Sequence, residues 1–226
     1  MERTVVVTGG TGGLGAAVTH TLLAGGWRVV VPWFVERELE RVQEHERLTL
    51  VQADLTDPGS AANAVAAAGD ELRALVNLVG GFAMGDRMHE TPIEEFEAQL
   101  RLNLRPTYLM CAAAVPVLLA AGGGAIVCVS SRAALQPFPG AAGYITAKAA
   151  VLAFVDAMHV EYKDDGIRTN AILPSTIDTP ANRRAMPDAD FDTWVKPDEI
   201  ARVIAFLCSD DAAVTSGAHV PVYGRA

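Results

Sequence analysis

Residues 3–8 form a short β-branched run, Thr4-Val5-Val6-Val7-Thr8, that breaks into Gly9-Gly10-Thr11-Gly12-Gly13-Leu14-Gly15 and then into an Ala-rich helical stretch over 16–24. A strand without polar alternation has to be covered on both faces, which is the condition of a strand inside a parallel sheet. The same unit recurs down the chain. Further apolar strands are expected at 27–31, 48–52, 72–79, 125–129, 167–173 and 218–222. Helical patterns separate them at 36–44, 60–68, 92–121 (with Pro116 as a kink), 144–163 and 197–208. Strands alternating with helices of this length predict an α/β fold: a mostly parallel seven-stranded sheet, doubly wound, with helices on both faces. No linker, repeat or low-complexity segment divides the chain, so residues 1–226 read as one domain.

The glycine turn carries the first chemistry. Thr8-Gly9-x-x-x-Gly13-x-Gly15 lies between a strand and a helix, where glycines permit a tight turn and let backbone amides approach a pyrophosphate at the helix N-terminus. A Walker-type phosphate loop is excluded, because Gly15 is followed by Ala16-Ala17 and not by Lys and Ser or Thr. No Gly-x-Ser-x-Gly elbow is present, which removes the corresponding hydrolases. The domain is therefore of the Rossmann, dinucleotide-binding type.

A second stretch stands apart. Ser130-Ser131 end the strand at 125–129, and an Ala-rich helix then carries Tyr144 and Lys148 at i and i+4, on one face. The chain has three lysines against fifteen arginines, and Lys148 lies among alanines with no acidic partner in sequence reach. A cation beside a phenol favours the phenolate, so the pair reads as a Tyr whose proton is made available.

Composition narrows the alternatives. The net charge of −9 and the absence of a basic stripe argue against a nucleic-acid partner. Cys111, Cys128 and Cys208 are scattered in apolar contexts, and the five histidines are equally dispersed, so no metal site is expected. Reduced thiols, no leader segment and no apolar run of spanning length predict a cytoplasmic protein without membrane contact.

Over its whole length the chain resembles the short-chain dehydrogenase/reductase superfamily. The turn from Thr8 to Gly15 matches that family's glycine pattern, and Asn77-Leu78-Val79-Gly80-Gly81 is similar to its Asn-Asn-Ala-Gly segment with the second and third residues changed. Ser131 precedes Tyr144 by thirteen residues, as in the family, and Asn103 stands where the family keeps a catalytic Asn. The resemblance implies NAD or NADP as cofactor, held by Gly9, Thr11, Gly12, Gly13, Leu14, Gly15, Trp33, Asp54, Leu55, Asn77, Gly80, Pro174, Ile177 and Thr179 together with Tyr144 and Lys148. It implies Asn103, Ser131, Tyr144 and Lys148 as the catalytic set, with Tyr144 as general acid in reduction and base in oxidation. Lys148 would lower the pKa of Tyr144, and Ser131 would orient the oxygen of a small carbonyl or alcohol substrate. Blander roles stand beside these: Asn77 tying strands, Asn103 at a helix kink, Asp54 capping the next helix and Thr179 in a turn.

The cofactor's 2′ position is read at the end of the second strand. There Trp33 replaces an acidic residue, Phe34 replaces a basic one, and Glu36 opposes Arg37. With no cation placed at the site, NAD is favoured over NADP. The lid from Pro180 to Trp194 is short and resembles that of quinoid dihydropteridine reductases, a branch that typically lacks the catalytic Ser and Asn. Pteridine reduction and non-catalytic dinucleotide sensing therefore stay as alternatives. The short lid is expected to bound an open pocket through Met186, opposite residues 82–85, and to suit flat or cyclic carbonyl compounds. Leu102, Leu104, Leu109, Met110, Leu152, Phe154 and Met158 make the helices from Pro92 and Gly143 apolar all round, which predicts a homo-oligomer, a tetramer or a dimer.

Overall fold

The computed structural model describes residues 3–225. Its centre is one sheet of seven strands in the order β3-β2-β1-β4-β5-β6-β7, parallel throughout. The strands are β1 (Thr4–Thr8), β2 (Arg28–Trp33), β3 (Leu48–Gln52), β4 (Leu72–Asn77), β5 (Gly124–Val129), β6 (Ile167–Pro174) and β7 (His219–Val222). From β1 the chain steps outward through β2 to β3, then returns to place β4 on the other side of β1. That reversal opens a crevice at the carboxyl ends of β1 and β4, which is where ligands bind in open α/β sheets.

Two hydrophobic layers sandwich the sheet. On one side Leu75, Ile126 and Leu173 meet α2 (Pro58–Ala66), α4 (Arg105–Ala120) and α5 (Ala142–Tyr162). On the other, Val5, Val29 and Val127 meet α1 (Gly15–Ala24) and α7 (Pro197–Cys208). Val5, Val6 and Val7 are all fully buried, as a strand covered on both faces requires. Helix starts follow local chemistry: Asp57 accepts from the Ser60 amide at 2.7 Å ahead of Pro58, and Glu199 accepts from the Lys196 amide at 3.1 Å ahead of α7. Left-handed Gly166, with φ at +80°, turns the chain from α5 into β6.

Four expectations change. Residues 36–44 form only a 3-10 helix, Glu36–Arg41, because none of its side chains is buried and a short helix without a docked face is not sustained. The stretch 92–121 is two helices, α3 (Ile93–Asn103) and α4, parted at Leu104. Pro106 lacks the N–H that would continue the ladder there, whereas Pro116 lies within α4 without ending it. The second strand runs on through Pro32 and Trp33, and the fourth stops at Asn77. Finally, the stretches Ile93–Ala120 and Ala142–Asp165 reach membrane-spanning length by composition alone, where no run of that length was expected, although the first is broken at Leu104. Their apolarity has a local cause: both pack on the sheet, and α3 also packs on α5.

Candidate active site

Four strand ends meet at the crevice. At the end of β1, the Gly12 amide donates to the Gly9 carbonyl at 2.9 Å, and Gly9 has φ of +65°. A Cβ on Gly15 would run into that same carbonyl, so the turn holds the start of α1 against the loop with no space for a side chain. Gly13 faces Thr179, to which a Cβ would come within 3.1 Å. The loop after β6 is thus packed onto the glycine turn. Thr8 joins β1 to the segment after β4, its hydroxyl accepting from the Leu78 and Val79 amides at 3.0 and 3.3 Å.

Gly80 sits where Asn103 and Lys148 converge: a Cβ there would lie 2.6 Å from the Asn103 Oδ1 and 3.1 Å from the Lys148 Nζ. Asn103 is buried at the end of α3 and clasps the Gly81 backbone. Its Oδ1 accepts from the Gly81 amide at 3.1 Å, and its Nδ2 donates to the Gly81 carbonyl at 3.0 Å. Lys148 is buried too, and its ammonium donates to the Val129 carbonyl at 3.0 Å.

Ser130 and Ser131 divide two tasks. Ser130 is buried and donates to the Lys148 carbonyl at 2.7 Å, which pins α5 to the end of β5. Ser131 accepts from the Ala133 amide at 3.2 Å, and its hydroxyl lies close enough to Tyr144 to act on the phenol. Burial pushes the Tyr144 phenol above its ordinary range, and the Ser131 hydroxyl pulls it back in part. Burial brings Lys148 from its usual 10.5 to about 8, with Cys128 opposing the fall. The expected lowering of Tyr144 by Lys148 is therefore not what this arrangement produces: burial outweighs the other influences on the phenol, and the Lys148 ammonium lies 6.0 Å from the ring centroid.

Asp54 is exposed and accepts from the Thr56 amide and hydroxyl, which hold its pKa down; the cap of α2 is Asp57. Leu55 is buried beside it. Asn77 donates to the thiols of Cys111 and Cys128 at 3.3 and 3.7 Å, so its side chain ties β4 to α4 and β5. Thr179 caps α6 (Pro180–Ala185) through the Asn182 amide, and Ile177 pairs with Val195. Trp33 ends β2, half-buried, while Leu14 leads into α1 and Pro174 closes β6.

Three features were missed. Glu38 and Arg41, not Glu36 and Arg37, meet the glycine turn: the Thr11 hydroxyl donates to Glu38 at 3.1 Å, and Arg41 bonds to the Thr11 carbonyl and to Glu38. The irregular helix hid this, because side-chain direction there does not follow the α-helical period. Phe82 meets the Tyr144 ring edge-on at 5.0 Å and tilts against Phe138 at 6.2 Å. Last, a cavity of about 460 Å³ opens beside Tyr144 between residues 83–99 and 140–144. Met186 does not line it, so the expected wall from the lid is corrected. Phe191 and Trp194 do pack on each other, at 4.8 Å, within the lid.

A glycine-lined helix start at the switch point of a doubly wound sheet fits a dinucleotide: side chains are excluded where a pyrophosphate would lie, and Thr179 and Gly80 close the far side. By fold and crevice this is a dinucleotide-binding α/β protein. Residues 3–190 match the family model described as short chain dehydrogenase. The chain is 32% identical over 245 residues to the 2-(R)-hydroxypropyl-CoM dehydrogenase of Xanthobacter autotrophicus, covering 99% of this chain and 98% of that one. It is 35% identical over 219 residues to the probable galactose dehydrogenase of Rhizobium meliloti, covering 92% and 81%. Among solved structures it is similar to ElxO with NADP bound, at a TM-score of 0.91 and 25% identity over 99% of this chain and 98% of that one. It is also similar to the 3-ketoacyl-(acyl-carrier-protein) reductase of Brucella melitensis in complex with NADH, at 0.87 and 28% over 99% and 98%. The chain belongs to the short-chain dehydrogenase/reductase family, and it is an oxidoreductase that uses a nicotinamide cofactor.

Proposed function

We propose that the protein interconverts a small carbonyl compound and its alcohol, with Tyr144 as the general acid in reduction and the base in oxidation. The observation that carries this is the approach of the buried Lys148 ammonium to the Tyr144 ring, 6.0 Å from its centroid, at the end of β5, with Ser131 beside the phenol and the crevice bounded by the glycine turn. The turn from Gly9 to Gly15 would hold the pyrophosphate, and Pro174, Ile177 and Thr179 would flank the nicotinamide end. When bound, the nicotinamide supplies or accepts the hydride. Tyr144 gives its proton to the substrate oxygen as charge develops there, while the Ser131 hydroxyl donates to the same oxygen and fixes its direction. Lys148 keeps a cation beneath the site, and Asn103 fixes Gly80 and Gly81 so that the lysine is not displaced. Ser131 beside Tyr144 supports carbonyl chemistry over the pteridine alternative, and a buried Lys148 supports catalysis over dinucleotide sensing.

NAD is the favoured cofactor. An acid about 20 residues beyond a dinucleotide glycine turn is the usual reader of a ribose 2′-hydroxyl, and an arginine the usual reader of a 2′-phosphate. Glu38 bonds to the turn itself and holds Arg41 in a salt bridge, so the arginine is engaged and the carboxylate faces the loop. We treat residues 1–226 as one working unit that assembles as a tetramer or a dimer through α4 and α5. Of the apolar residues first expected to face a partner, Met110, Leu152 and Met158 are buried within the chain. Leu102 stays exposed, and Leu119, Val160 and Tyr108, the last tilted against Phe154 at 5.8 Å, are outward as well. Three buried free cysteines support a reducing compartment, the cytoplasm. Oxidation of NADH and NADPH, followed by absorbance across a panel of aliphatic, aromatic and cyclic carbonyl compounds, tests the reading; turnover of none of them, in either direction, contradicts it.

A further inference from the structure

We propose that the cavity beside Tyr144 is a subsite for an uncharged aromatic or cyclic group carried by the substrate, and that Glu95 excludes anionic forms of that group. The inference rests on the reading of Tyr144 as proton donor to a carbonyl, because that brings the rest of the substrate to this wall.

The volume of about 460 Å³ is that of a small-molecule site, which runs from about 300 to 1,000 Å³. Met84 and Met88 from the loop after β4, and Ile93 and Phe96 from α3, supply its apolar side. Opposite them the lining is little more than backbone, from Gly140 to Gly143. The two loops are tied across the cavity, the Gly85 amide donating to the Gly140 carbonyl at 2.8 Å. Gly140 has φ of +81°, and a Cβ there would come within 2.5 Å of the Gly85 carbonyl. The glycine wall is therefore fixed by the backbone, and only the methionine side of the cavity can adjust.

Met84, Met88 and Ile93 are 60%, 73% and 60% exposed, a cluster of apolar surface beside the proposed proton donor. Covering it removes apolar area from water, and thioethers adapt to ring edges better than branched side chains do. The Phe82–Tyr144 contact continues the same wall toward the reacting group. Charge decides the rest. Among the described residues Glu95 is the one charged side chain on the lining, and no Lys, Arg or His lines the cavity. A carboxylate, phosphate or sulfonate would lose water against a like charge with no cation to meet it.

Three ketones separate the possibilities: 2-acetylnaphthalene, its 6-carboxylate, and 2-butanone, which is too short to span both Tyr144 and the cavity. The neutral naphthyl ketone should exceed its carboxylate by about tenfold or more in kcat/KM, and Glu95→Arg should close or invert that gap. Met88→Ser and Ile93→Ser, both at exposed positions, should raise KM for the naphthyl ketone about three- to tenfold more than for 2-butanone. A gap untouched by Glu95→Arg, or serine variants that act alike on both neutral ketones, overturns the subsite while leaving carbonyl reduction intact. Calorimetric titration of the two naphthyl ketones separates the converse case. If neither is turned over yet the neutral one binds more tightly and Glu95→Arg reverses the order, the subsite stands and the reductase reading falls. If neither binds and neither is turned over, both fall.

Discussion

Lys148 directs its ammonium at the carbonyl of Val129, 3.0 Å away, from a position that is 95% buried and has no carboxylate paired with it among the described residues. A cation held in this way costs stability, and the cost depends on pH. Its pKa in the folded protein is about 8, below the ordinary 10.5, so between those values the unfolded chain binds more protons than the folded one. Stability contributed at this position therefore rises with pH through that window and carries its full penalty below pH 8.

Lys148→Met, which keeps the volume and removes the charge, should be the more stable protein below pH 8. The difference in Tm between variant and wild type should shrink by a few degrees between pH 8 and about 10. Taking the difference cancels thiols and phenols that titrate in the same range. Parallel Tm curves for the two proteins would mean that Lys148 is not buried as a cation.

Asn103 makes bonds in both directions to Gly81. Asn103→Ala leaves an amide and a carbonyl without their partner, a loss of about 1–3 kcal/mol in unfolding free energy. Urea titration measures this directly. The same variant should also weaken cofactor binding, because Asn103 holds the Gly80–Gly81 backbone beside the Lys148 ammonium. A variant as stable as wild type would reduce Asn103 to a residue at a helix break.

The sheet and its crevice were legible because Val, Ile and Ala runs, once bounded by glycines and helices, leave few other ways to bury two faces. The Ser131, Tyr144 and Lys148 set was legible because it combines a fixed spacing with a strand–turn–helix order. What escaped was set by tertiary packing. Pro106 competes with Pro116 for the helix break, and only the first lies at a position where the ladder gives way. Glu38 could not be chosen over Glu36 without knowing that residues 36–41 fold as a 3-10 turn against Thr11. The lowering of Tyr144 assumed that the lysine's charge would outweigh burial, whereas burial dominates the phenol.

Glu38 gives the cofactor preference a test. Glu38→Gln removes the negative charge beside the glycine turn and frees Arg41, so the ratio of kcat/KM for NADPH to that for NADH should rise about tenfold. Glu36→Gln, exposed and without a contact to the turn, should alter that ratio far less. A wild type that already prefers NADPH, and loses the preference in Arg41→Ala, would reverse the assignment.

The outer side of α4 and α5 should be covered in solution. Light scattering at micromolar concentration is expected to give the mass of a dimer or tetramer, and Val160→Asp with Tyr108→Asp should lower it by charging that face. A monomeric wild type at that concentration contradicts the assembly.

The most direct measurement is single-turnover hydride transfer in Tyr144→Phe, with cofactor affinity determined on the same sample by fluorescence titration. Tyr144→Phe should lose about 10²–10⁴ in rate, the usual share of general acid–base catalysis, while the glycine turn and Asp54 keep cofactor affinity close to wild type. Ser131→Ala should lose a comparable amount if the substrate is a carbonyl compound, and little if it is a quinonoid pteridine. A Tyr144→Phe protein that transfers hydride at the wild-type rate would contradict the proposed role of the tyrosine outright.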